Sequence, residues 1–155
     1  MFISTLDVVW TTRAPGIGRT PRRFLDFVID GVPLSSRFNV DFISPFGWLD
    51  ADEQEASIDR LLGKSAPDLP DGRTTLYICP ECADLGCGAI TLLVQSEADV
   101  IIWKDFGFEN NYEDVVHTEG FQDIGPFAFD ANQYRELLER IRITTAAGDT
   151  RGTKC

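Results

Sequence analysis

Three cysteines fall within nine residues, in the run Cys79-Pro80-Glu81-Cys82-Ala83-Asp84-Leu85-Gly86-Cys87-Gly88. Two thiolates spaced Cys-x-x-Cys in a tight turn can share one tetrahedral zinc, and a third a few residues later is within reach of the same ion. A complete structural zinc site then needs a fourth ligand. His117 is the only histidine, Cys155 is far along the chain, and Asp84 sits inside the loop itself. The second cysteine pair of a zinc ribbon and the histidine of a zinc knuckle are both missing. A redox-active pair fits less well, because such pairs stand at helix N-termini that lower the thiol pKa, and this run lies between two predicted strands. A local disulfide requires an oxidising compartment. The preferred expectation is a tight turn whose cysteines pack inward as reduced, apolar groups, since free cysteine is among the most buried residue types.

A second stretch interleaves aromatic rings with carboxylates: Trp103-Lys-Asp-Phe-Gly-Phe-Glu-Asn-Asn-Tyr-Glu-Asp114, followed by His117 and Glu119. Rigid aromatic anchors among charges that steer a basic partner make an interface centre. Trp103 reads as core. Glu109, Tyr112, Glu113 and Asp114 read as partner contacts on an outward loop, with Glu97 and Asp99 as outer candidates. Charge supports this: of the net −11, most comes from residues 81–130, where eleven acidic residues face the single Lys104. Such a field repels nucleic acid and anionic membrane and speeds association with basic proteins.

Catalytic constellations are hard to find. One histidine offers few routes to a nucleophile–base pair. Gly63-Lys64-Ser65 resembles the end of a phosphate-binding loop, but Ile58 occupies the position of its first glycine and the triplet closes a helix instead of opening one. Gly16-Ile17-Gly18 lacks the third glycine of a dinucleotide fingerprint. The basic stretch Arg13 to Arg23 is too short to outweigh the acidic remainder, so nucleic-acid binding is not expected.

The elements that must position these residues are legible from patterning. Residues 2–11, 24–29, 32–40, 74–78, 88–95, 100–106 and 124–129 read as strands, and Asp30-Gly31 as a two-residue hairpin turn. Pro33 places its strand at an edge. Asp50 with Glu53, and Asp130 with Gln133, mark two helix starts. Tyr134, Leu137, Leu138 and Ile141 are spaced as one buried face. Local turns and only two helices predict an α+β domain over residues 1–143, mainly antiparallel sheet with two helices packed on one face or end, and a fraying tail at 144–155. The longest central apolar run, residues 89–94, is far too short to span a bilayer, and the N-terminus reads as no secretory signal. The expectation is a cytoplasmic protein.

From Tyr77 through Ile90 and from Trp103 through Tyr112, the chain resembles a group of small bacterial proteins of unassigned activity. In size, acidity and α+β pattern it is similar to the immunity proteins of bacterial toxin systems, above all those of contact-dependent growth inhibition. That resemblance implies a stoichiometric inhibitor in the cytoplasm, without cofactor, that occludes the basic surface of a toxin domain, often a nuclease. The other expectation is a metal- or thiol-dependent protein built on Cys79, Cys82 and Cys87, with zinc as the metal.

Overall fold

A computed structural model describes residues 2–147. Eight strands and two α-helices form an α+β fold with mostly antiparallel pairing. Five strands make one sheet in the order β1 (Ile3–Ser4), β8 (Phe127–Asp130), β7 (Val100–Glu109), β6 (Ala89–Glu97), β5 (Thr74–Ile78); only the β1–β8 pair is parallel. Three strands make the second sheet, in the order β2 (Leu6–Arg13), β3 (Arg22–Ile29), β4 (Val32–Pro33).

The expected first strand is therefore two. Ile3 and Ser4 pair with Ala128 and Phe129, and one residue later Leu6 pairs with Ile29 in the other sheet. Asp30 and Gly31 take the positive φ values, 51° and 83°, that a two-residue hairpin demands. The strand expected from Val32 to Val40 stops at Pro33, which lies on an edge strand as anticipated. A 3-10 helix, Leu34–Arg37, follows it because local hydroxyls compete with the ladder: Ser36 Oγ donates to the Pro33 carbonyl and Ser35 Oγ to Asp26.

Helix α1 (Ala51–Leu61) starts at Asp50, whose carboxylate accepts from Asp52 N, and ends before Gly63. Helix α2 (Ala131–Ala147) starts with Asp130 accepting from Gln133 N at 2.9 Å. The periodic face Tyr134, Leu137, Leu138 and Ile141 is buried throughout. Four residues expected in the tail, 144–147, continue α2, with Thr145 Oγ1 donating to the Ile141 carbonyl; the rest of the expected tail lies outside the described residues. The helices are clasped by Tyr134 Oη donating to the Leu61 carbonyl at 2.8 Å and by Arg142 pairing with Asp59 and Glu55.

Both sheets and both helices supply the main core. Trp103 sits at its centre, with ring centroids 5.2 Å from Phe27 of β3 and Phe129 of β8 and 6.0 Å from Tyr134 of α2. Tyr77 of β5 ties the sheets together: its hydroxyl donates to Asp26 and accepts from Phe27 N. Among the described residues, no helix is long and apolar enough to cross a membrane.

Candidate functional site

The cysteine run forms the loop of the β5–β6 hairpin, since Ile78 and Ala89 on either side of it are paired. Ala83 N closes a turn on the Cys79 carbonyl at 3.0 Å, with Ala83 at φ 57°. Asp84 then caps a 3-10 helix, Leu85–Cys87, through Gly86 N at 3.2 Å. Gly88 ends the loop at φ 97°, where a Cβ would stand 2.2 Å from the Phe108 ring. Glycine is required there on both counts, because the backbone is left-handed and the strand beside it carries a large side chain.

The two residues between Cys79 and Cys82 are held from the other sheet. The Pro80 carbonyl accepts from the buried Arg22 Nε at 2.9 Å. Glu81 accepts from Thr20 N at 2.8 Å, Thr20 Oγ1 at 2.7 Å and Arg13 Nη1 at 2.7 Å, while Arg13 also pairs with Asp41. The basic stretch Arg13 to Arg23 is thus partly consumed in holding the cysteine turn. The Thr20 hydroxyl and amide, with Arg13, lower the Glu81 carboxyl from 4.5 to about 2. A lowered carboxyl stabilises the fold above its unfolded value and ceases to do so as pH falls through its folded one. This clasp is therefore expected intact at pH 5 and released between about pH 4.5 and 2. Carboxyl-carbon NMR titration checks it: Thr20→Ala should move the Glu81 midpoint back up toward 4.5, and an unmoved midpoint would refute the assignment.

The expectation that the cysteines pack inward is overturned for two of them. Cys82 and Cys87 are exposed and Cys79 is half-buried, with Cys79 alone resting against the main core. The three Sγ atoms lie within 4.8 Å of one another. The expected reduced state is corrected for the same two: Cys82 and Cys87 meet as a disulfide, although their Cα atoms are 7.2 Å apart, while Cys79 is free. Neither Asp84 nor His117 joins this cluster among the described residues. The Asp84 carboxylate faces Gly86 N, and His117 is paired with Glu113. Cys155 lies outside the described residues.

Next to this loop stands the acidic one. Asn111 Oδ1 is 3.9 Å from where a Cβ on Gly86 would be, and Leu85 lines the same cavity as Glu113 and Asp114. That cavity, of about 470 Å³, is lined by the apolar residues Leu69, Pro70, Leu85, Val115 and Val116 and the acidic residues Asp71, Glu109, Glu113 and Asp114. No lysine or arginine lines it among the described residues. Residues 115–117 lie over β7 because Gly107 leaves room: a Cβ there would meet Val116 Cγ1 at 2.5 Å. Phe108 and His117 exchange backbone hydrogen bonds at 2.8 Å. Glu113 accepts from Asn110 Nδ2 at 2.9 Å and lies 2.9 Å from His117 Nε2, and these contacts lower its carboxyl, the histidine foremost.

Glu109 is a correction to the outward set. Its side chain turns inward, only 8 % of the residue is exposed, and it pairs with Arg73 Nε at 2.9 Å and accepts from Thr91 Oγ1 at 2.6 Å. Arg73 enters ahead of β5, crosses Thr91 of β6 and reaches the Asp105 carbonyl of β7. Asp105 stands at φ 56° in a bulge of β7, which aims that carbonyl at the guanidinium. Burial raises the Glu109 carboxyl, and the nearby Asp71 carboxylate adds to this against the Thr91 hydroxyl and Arg73.

No family model, curated protein or solved structure matches the chain. The site therefore rests on its own geometry. Tyr112 stands 74 % exposed on the acidic loop, with Val115 half exposed beside it. Glu97 and Asp99 are also exposed, but they occupy the β6–β7 turn at the opposite end of those strands, about 25–30 Å away by strand rise. The six expected contacts thus divide into a surface cluster of Tyr112, Glu113 and Asp114, a buried Glu109, and a distant pair. Sequence reasoning missed Asp71, Arg73 and Glu81; the partners of the Arg73 and Glu81 side chains come from distant parts of the chain and leave no local signal.

Proposed function

We propose that the protein acts by binding a basic protein, receiving a lysine or arginine side chain in the cavity beneath the acidic loop. The observation that carries this reading is the cavity's composition. Aliphatic walls suit the stem of a long cationic side chain, and Asp71, Glu113 and Asp114 suit its head, Glu109 being already paired with Arg73. Tyr112, exposed on the same loop, offers an aromatic anchor beside it. The negative field of residues 81–130 favours approach of such a partner and disfavours nucleic acid. A toxin domain of a contact-dependent inhibition system, blocked at its basic surface, is the finer form of this proposal.

The C-terminal domain of the protein encoded immediately upstream is the partner to test, by co-purification at low and moderate salt. A one-to-one complex is expected, with association on the order of 10-fold slower and less salt-dependent in Asp114→Lys. Asp114 is the better probe, because Glu113 also organises the loop through Asn110 and His117. Absence of a complex at both salt levels removes the toxin reading, and unchanged kinetics in Asp114→Lys removes the cavity.

A further inference from the structure

We propose that Cys79, Cys82 and Cys87, when reduced, bind one soft divalent cation of the zinc class through three thiolates, leaving a fourth coordination position open to a donor from outside. The inference is independent of the acidic cavity. Thiolates that share a tetrahedral zinc at about 2.3 Å stand about 3.8 Å apart. The three Sγ atoms already lie within 4.8 Å of one another, so small side-chain rotations bring them to an ion. The Cα separation of Cys82 and Cys87, 7.2 Å, exceeds the roughly 4.4–6.8 Å that a direct disulfide ordinarily bridges. An ion placed between two sulfurs spans that longer distance without moving the backbone.

The loop is also built to hold its cysteines before any ion arrives. Arg22 fixes the Pro80 carbonyl, and Arg13 with Thr20 fixes Glu81, so both residues inside the Cys-x-x-Cys turn are anchored from a different sheet. The hydrogen bonds Ala83 N to Cys79 O, Cys87 N to Asp84 O and Gly88 N to Leu85 O set the backbone from the first cysteine to the third. Half-buried Cys79 makes the floor, and exposed Cys82 and Cys87 make the rim. Such anchoring fixes the backbone that carries the thiolates. Asp84 and His117 are engaged elsewhere, so the fourth position falls to water or to an external thiolate or imidazole.

The test is a cobalt titration of the full chain carrying Cys155→Ser, reduced with a phosphine and kept anaerobic. One equivalent of Co²⁺ should give thiolate-to-metal charge-transfer bands and the intense visible bands of a four-coordinate ion. Zn²⁺ should displace it one for one. The bands should be lost in Cys79→Ser, Cys82→Ser and Cys87→Ser proteins that keep their far-ultraviolet circular dichroism, and imidazole should shift the visible bands. A reduced Cys155→Ser protein with no charge-transfer band overturns the proposal, whatever the serine variants do. Binding that survives Cys87→Ser overturns the three-thiolate set, and visible bands indifferent to imidazole overturn the open position.

Discussion

Arg73→Ala is expected to destabilise the protein by about 3–5 kcal/mol, the cost of stranding a buried charge. The guanidinium is the cation that balances Glu109, and both side chains are about nine-tenths shielded from solvent. It also serves two carbonyls, those of Thr91 and Asp105, which lose their donor with it. Thermal melting should fall by on the order of 10 °C. The loss should depend on pH in a defined direction. Burial already raises the Glu109 carboxyl, and a raised carboxyl binds its proton more tightly folded than unfolded. Stability then falls as pH rises through the interval above the ordinary carboxylate value. Without Arg73 that interval widens, so the variant should suffer less at about pH 5 than at about pH 8. Adding Glu109→Gln should recover part of the loss at the higher pH. A single variant that melts like the parent at both pH values would contradict the buried pair.

Trp103→Ala is expected to cost a comparable amount, about 3–5 kcal/mol, for a different reason. Its indole is fully buried between Phe27, Phe129 and Tyr134, elements from two sheets and a helix. Truncation opens a cavity where those elements meet and removes the Nε1 hydrogen bond, 3.0 Å, to Tyr134 Oη. Tyr134 still donates to the Leu61 carbonyl, so its hydroxyl is not orphaned. Trp103→Phe keeps an aromatic ring and should lose only about 1–2 kcal/mol. Denaturant unfolding of the two variants separates cavity from hydrogen bond. A Trp103→Ala loss below about 1 kcal/mol would mean that the core closes around the gap.

What was legible in the sequence follows the range of each interaction. The Asp30-Gly31 turn, the β6–β7 hairpin, both helix starts and the buried face of α2 depend on residues a few positions apart, and all are found. The division of the first strand was not legible, because Ile3 to Arg13 is uniformly strand-forming and only pairing with distant partners separates it. The stretch after Pro33 misled through its apolar content, while serine hydroxyls bent it into a 3-10 turn. At the site, the cysteine spacing and the acidic loop were visible as residue types. Their juxtaposition through Leu85 and Asn111 was not, nor was the inward turn of Glu109. A glutamate at the end of a strand carries no mark of an arginine 36 positions earlier that comes to meet it.

The pairing of Ile3 with Ala128 has a consequence for synthesis. β1 waits long for its partner, because β8 must be made before β1 can dock. At elongation rates of about 5–20 residues per second, that wait is roughly 6–25 s. During it, the β2–β3–β4 meander, whose contacts are local, is free to form. Completion of the five-stranded sheet, by contrast, waits until β8 has been made.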